Sequence, residues 1–281
     1  MRIKFFYLFT IPVLIACGPN SGGAAKNNER VNDDPVVIND SITINNKGYK
    51  VIHVFVALCD NKYQGIVPVP AAIGNGQDPA RNLYWGAAYG VKSYFKKSNE
   101  WVLVKTFFNP AENIPERLLF KHTTSKTIMI ADAYDGQFIK QATTAFLSAA
   151  SGDKITIVVN NGDSVYTGGA SDLVAYIGHD GLMDFDLNEK FSEKRKSKKE
   201  AIILACYSKS YFSTHLRQTG ATPLLWTNGL MAPEAYTLHD AIGAWINSKT
   251  GAEIRMAAAQ AYSRYQKCSI KAAHNLLSQG W

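Results

Sequence analysis

Two short runs, Leu173-Val174-Ala175-Tyr176-Ile177 and Ala201-Ile202-Ile203-Leu204-Ala205, are apolar without alternation. A strand with one face in water alternates polar and apolar side chains, whereas a strand that is apolar throughout has both faces covered. Covered strands of this length pair in parallel, and parallel pairing requires a crossover between them. These runs therefore constrain the chain to an α/β class with a mostly parallel sheet under helices. In open α/β sheets, ligands collect beyond the carboxyl ends of the strands. There the first run passes through Gly178 into His179, and the second ends at Cys206. A cysteine and a histidine delivered together can form a thiolate–imidazole dyad, which predicts a Cys206 pKa below the free value of about 8.5.

The rest of the domain alternates in the same way. Val51 to Leu58 reads as the first core strand, ending at Cys59-Asp60-Asn61. A loop through Pro68, Pro70, Gly74 and Gly76 follows, long for a plain connection and of a kind that often carries function. Asp78-Pro79 reads as the start of a helix that carries Leu83, Ala87, Val91 and Phe95 and ends at Lys96-Lys97. Tyr84, Trp85 and Tyr89 in it suit core cover better than substrate contact. Trp101 to Phe108 predicts a strand, Ile114 to Phe120 a short helix, Thr127 to Ala131 a strand, and Gln137 to Ala150 a helix. Lys154 to Val159 is β-rich and leads into Asn160-Asn161-Gly162-Asp163, a turn signal. Beyond Cys206, a helix is expected over Ser210 to Gln218, stopping at Gly220, then a strand over Ala221 to Gly229. A further helix runs from Pro233-Glu234 through Ile246, and an Ala-rich one from Ala252 to Leu277. His239 and Arg255 read as ordinary helix or surface residues.

The net charge is +7, or +5 once Arg2 and Lys4 are removed with the leader discussed below. No nucleic-acid motif accompanies it, so no nucleic-acid partner is expected. Lys194-Arg195-Lys196 with Lys198-Lys199 reads as a solvated face. The alternatives for this run are a dock for an anionic partner or, as the resemblance described below implies, an exposed segment cut during maturation. Cys59 and Cys268 can pair if the protein is exported, although sequence alone does not bring them together. With no CxxC and no spaced Cys/His set, a structural zinc site is not expected, and a thiolate–imidazole dyad requires no cofactor.

Met1-Arg2-Ile3-Lys4 is a short basic start, followed by an apolar stretch to Ala16 that is too short to span a membrane and has the form of a secretory signal. Leu14-Ile15-Ala16-Cys17 resembles the bacterial lipobox. That resemblance implies cleavage before Cys17, lipidation of Cys17, and a membrane partner reached through the lipid. Gly18, rather than Asp, leans toward the outer membrane or cell surface over the inner membrane. The expected organisation is a signal peptide over 1–16, a lipidated cysteine and polar tether over 17–47, and one domain over 48–281.

Tyr176-Ile177-Gly178-His179-Asp180-Gly181 and Ile203-Leu204-Ala205-Cys206-Tyr207-Ser208, in this order, resemble the caspase-like cysteine peptidases, the group of caspases, legumains, clostripain, gingipains and separase. The 27-residue step from His179 to Cys206 leaves room for one crossover helix. The resemblance implies a caspase-like α/β/α sandwich with a mostly parallel central sheet, and a His179–Cys206 dyad that cleaves a peptide or protein substrate through an acyl-enzyme. It implies an oxyanion site from backbone N–H groups of Cys206 and the Asp180-Gly181 turn. It also implies a substrate pocket walled by Trp226, Thr227, Asn228 and Met231. The family usually has Gly directly after His; here Asp180 intervenes, so either its N–H serves or the loop is rebuilt. Two other readings stay open: an inactive caspase-like lipoprotein that binds partners, and an acyl transferase or other hydrolase with the same dyad.

Overall fold

The computed structural model describes residues 46–194 and 199–281. The leader, Cys17 and most of the tether lie outside the described residues, as do positions 195–198 of the basic run. In chain order the strands are β1 (Lys50–Ala57), β2 (Trp101–Ala111), β3 (Ile114–His122), β4 (Thr127–Tyr134), β5 (Ile155–Asn160), β6 (Asp163–Gly168), β7 (Leu173–Gly178), β8 (Glu200–Leu204), β9 (Thr222–Thr227) and β10 (Leu277–Ser278). The helices are α1 (Val91–Lys97), α2 (Ile139–Ala150), α3 (Ser208–Thr219), α4 (Ala235–Ile246), α5 (Gly251–Gln266) and α6 (Ile270–Leu276).

Eight strands form one sheet in the order β10-β9-β8-β7-β1-β4-β3-β2. The five central strands, β9 to β4, run parallel, while β3 and β2 extend one side antiparallel and β10 closes the other. Every residue of β7 is buried, as is every residue of β1 after Lys50. This is the double-sided cover that the unalternating apolar runs demand. Ile52, Val54, Val56, Ile177 and Leu204 pack on one face with Phe95 of α1, Ile242 of α4 and Ala258 of α5. Phe55, Tyr176 and Ile203 pack on the opposite face with Phe146 of α2 and Phe212 of α3. The result is an α/β/α sandwich. Full burial of each large side chain contributes about 1.5–3 kcal/mol, so both faces stabilise the sheet.

The β5–β6 hairpin forms a separate two-stranded sheet. Its turn residues Asn161 (φ 50°) and Gly162 (φ 82°) both take the left-handed conformation that a two-residue turn between twisted strands requires.

Three expectations are corrected. Residues 114–120 are not helical but lie in β3, because Leu118 and Phe120 point to one core cluster and Leu119 to another, a period of two. Strands β2 and β4 take up its backbone on both sides. The helix expected from Asp78 begins only at Val91. The Asn82 side chain bonds Cys59 N and O, Asn75 O and Tyr84 N, so residues 78–90 fold as turns around it. Tyr84 and Trp85 are buried, as expected of core cover, whereas Tyr89 is exposed. The Ala-rich C-terminal segment is two helices. Lys267 turns left-handed (φ 55°), Ser269 caps α6 at Ala272 N, and Leu277 is buried as β10 pairs with β9. In addition, no α-helix joins β7 to β8 among the described residues. That crossover instead packs Leu187 and Phe191 against the α2/α3 face.

Candidate active site

Strands β7 and β8 are direct parallel neighbours, in register from Leu173↔Glu200 to Ile177↔Leu204. His179 and Cys206 each lie two residues beyond that last pair, so the topology brings both to the same edge of the sheet. Gly178 makes the exit from β7 possible: it has φ 142°, and a Cβ there would meet the Ala57 carbonyl oxygen at 2.6 Å. The Tyr176 hydroxyl donates to the His179 carbonyl at 2.7 Å. After Cys206 the chain turns sharply into α3 through Tyr207, a left-handed non-glycine residue (φ 50°) whose conformation costs about 1–2 kcal/mol. Its N–H donates to Gly229 O, and Ser208 and Thr227 bond each other across the same turn.

The His179 Nε2 lies 2.7 Å from Asp184 Oδ2. The same carboxylate oxygen accepts the Gly65 N–H at 2.9 Å, so the long loop after β1 braces it. A Cβ at Gly65 would meet Asp184 Oδ1 at 2.4 Å, so this brace needs glycine. A carboxylate only accepts, so Nε2 carries a proton, which in the neutral tautomer leaves Nδ1 as the base. Sequence reasoning missed Asp184 as a site residue. Its only signal was an acid five positions after the histidine, across a tight turn.

Cys206 is half-buried, and its Sγ rests on Met231: the Met231 N–H points to it at 3.4 Å, and Sγ–H to Met231 O at 3.6 Å. Burial pushes the thiol up; the Met231 N–H opposes this, and the Asp180 carboxylate adds to it. This direction is opposite to the depressed thiol expected from the sequence. Asp180 is fully buried, with Oδ1 accepting the Leu182 N–H at 3.0 Å and Oδ2 unpartnered among the described residues. Burial pushes its carboxyl up to about 7; the Leu182 N–H opposes this, and Asp184 adds to it. Gly181 packs tightly in the same turn, where a Cβ would meet the Phe185 ring at 2.7 Å.

Of the expected pocket wall, Met231 is hydrogen-bonded to Cys206. Trp226 is fully buried, edge-on to Trp281 at 5.4 Å, and Thr227 is buried in its bonds to Ser208 and Ala205, so neither lines an open pocket. Both face inward because β9 is covered on both sides. Asn228 is exposed and bonded to Asn275 O. Cys59, Cys206 and Cys268 are all free thiols, so the Cys59–Cys268 pair is not formed. Cys59 is sealed in the core, and burial pushes its thiol up to about 11.

No family model, curated protein sequence or solved structure matches this chain. Among the described residues no cluster of His, Cys, Asp or Glu suits a metal ion, and no helix is long and apolar enough to cross a membrane.

Proposed function

We propose that this chain is a caspase-like cysteine peptidase that hydrolyses peptide bonds with Cys206 as nucleophile and His179 as general base and acid. The observation that carries the reading is the pair of neighbouring parallel strands that ends in His179 and Cys206, with the imidazole held by Asp184 in the tautomer a base needs. The Cys206 proton passes to His179 Nδ1 as sulfur attacks the substrate carbonyl. The oxyanion is stabilised by backbone N–H groups of Cys206 and the Asp180-Gly181 turn. His179 then protonates the leaving amine as the C–N bond breaks, leaving an acyl-enzyme, and finally takes a proton from the water that hydrolyses it. Asp184 is a positioning residue, and the Met231 N–H is available to the sulfur as it becomes negative. No cofactor takes part. The protein is exported and held at a membrane by lipid on Cys17, so its substrates are peptides or proteins outside the cytoplasm.

The raised thiol pKa favours a second reading, an inactive caspase-like scaffold that binds a partner. Labelling with a panel of peptidyl acyloxymethyl ketones, followed by mapping of the modified residue, separates the two. The peptidase reading expects covalent label on Cys206, lost in Cys206→Ala and slowed at least about 10²-fold in His179→Ala. A folded protein that takes no label and cleaves no peptide in a mixed library supports the scaffold.

A further inference from the structure

On the α2 face of the sheet lies a cavity of about 480 Å³ whose lining includes neither His179 nor Cys206. This is within the roughly 300–1,000 Å³ range of small-molecule sites. The sheet forms its floor, α2 one wall and the β5–β6 hairpin the other. Phe55, Ile114 and Ala145 give it an apolar body, while Arg117 lines it from β3, Lys140 from α2, and Lys154 from the start of the hairpin. Glu189 is the one carboxylate among the lining residues.

Beneath the cavity an ionic chain crosses the sheet. Arg117 and Asp132 are directly paired on β3 and β4, with Nε to Oδ1 at 2.6 Å and Nη2 to Oδ2 at 2.9 Å. His53 Nε2 reaches Asp132 Oδ2 at 3.0 Å, and His53 Nδ1 accepts the Gly168 N–H at 3.0 Å. Because Nδ1 is an acceptor, the His53 ring is neutral and its proton sits on Nε2. All three side chains are almost fully buried, at 3% exposure or less. A buried ion pair seldom stabilises a fold more than well-packed apolar residues of the same volume would. What this one does is hold a planar guanidinium rigidly in the cavity lining and tie the separate hairpin wall to the sheet. The dyad chemistry uses none of these groups.

We propose that this cavity binds a small organic anion, a carboxylate or sulfonate with an apolar body. The acid group is set among Arg117, Lys140 and Lys154, and the body lies on Phe55, Ile114 and Ala145. The apolar lining and the volume favour an organic anion over inorganic phosphate. The site is independent of the peptidase reading.

The test uses the whole chain and 1-anilinonaphthalene-8-sulfonate as a fluorescent probe. One-to-one saturable binding is expected, competed by octanoate and not by octylamine. The Lys140→Glu/Lys154→Glu double variant, altered only at exposed positions, should weaken it about tenfold or more, equivalent to about 1.4 kcal/mol. Ala145→Trp should abolish it by filling the cavity, and Cys206→Ala should leave it unchanged. Melting curves identify any variant that fails to fold; if Ala145→Trp does so, the lysine pair alone decides. Absence of saturable binding, equal competition by octylamine, or unchanged affinity in the lysine double variant would overturn the proposal.

Discussion

Asp132 and Asp180 are both completely buried at 0% exposure, on or beside the same sheet, yet their carboxyl groups shift in opposite directions. Burial alone would push Asp132 up, but Arg117 and His53 beside it hold it well below the usual carboxylate range. Asp180 has one backbone N–H on Oδ1 and nothing on Oδ2 among the described residues, and its carboxyl rises to about 7. Burial raises the stakes in both places, and the partners decide the sign. The mid-sheet cluster is paired across three neighbouring strands. The strand-end cluster keeps one carboxyl, Asp180, that exchanges its proton near neutral pH.

The sharpest way to break this contrast is to remove one carboxylate from each region. At the strand ends, Asp184→Ala should cut the rate of Cys206 labelling by a peptidyl probe about 10²–10⁴-fold, because His179 loses its fixed tautomer. The melting temperature should stay close to that of the parent. An unchanged labelling rate would mean that Asp184 only braces the loop at Gly65. In mid-sheet, Asp132→Asn should instead cost about 3–5 kcal/mol in urea unfolding by breaking the buried Arg117–Asp132 ion pair, with the labelling rate per folded molecule unchanged. A loss below 1 kcal/mol would show that the ionic chain is dispensable.

A pH series sharpens the comparison further. Asp180 holds its proton more tightly when folded, at about 7, than when unfolded, at about 3.9. Between those values the folded chain carries the extra proton, so this group makes stability fall as pH rises from about 4 to about 7. The penalty is absent below that window and complete above it, on the order of a few kcal/mol. Asp180→Asn should therefore gain stability relative to the parent above pH 7 and lose that advantage near pH 4. Parallel pH curves for parent and variant would contradict the assignment. The smallest effect is expected at a third buried carboxylate, Glu116, which accepts from Trp85 Nε1 and from the partly exposed Lys92, both at 2.6 Å. Lys92→Met should cost only about 1 kcal/mol, since the Trp85 N–H remains to partner Glu116. A loss of 3 kcal/mol or more would place this pair in the same class as Arg117–Asp132.

Much of the architecture is legible in the chain because local pattern and burial agree. Unbroken apolar runs mark β7 and β8, an apolar run broken only by His53 marks β1, the Asn161-Gly162 pair marks the hairpin, and Gly220 marks the end of α3. The expectations that missed were places where distant contacts overrule local preference. Asn82 breaks a helical pattern by bonding Cys59, 23 residues away, and β3 becomes a strand because β2 and β4 flank it. The ionic chain left a trace that can be read in hindsight. His53, Arg117 and Asp132 each interrupt an apolar segment, and polar residues at such positions need one another.

Residue identity and spacing by themselves determined that a double-covered parallel sheet must form, and that His179 and Cys206 would stand at strand ends, because the side-chain period and hydrophobic burial act within a few residues. Only the tertiary structure decided that their strands are neighbours, that Asp184 rather than a closer group holds the imidazole, and that Trp226 and Thr227 turn inward. It also decided which buried carboxylate is ionised. Strand order, hydrogen-bond partners and local dielectric are set by residues far apart in the chain, and no local pattern encodes them.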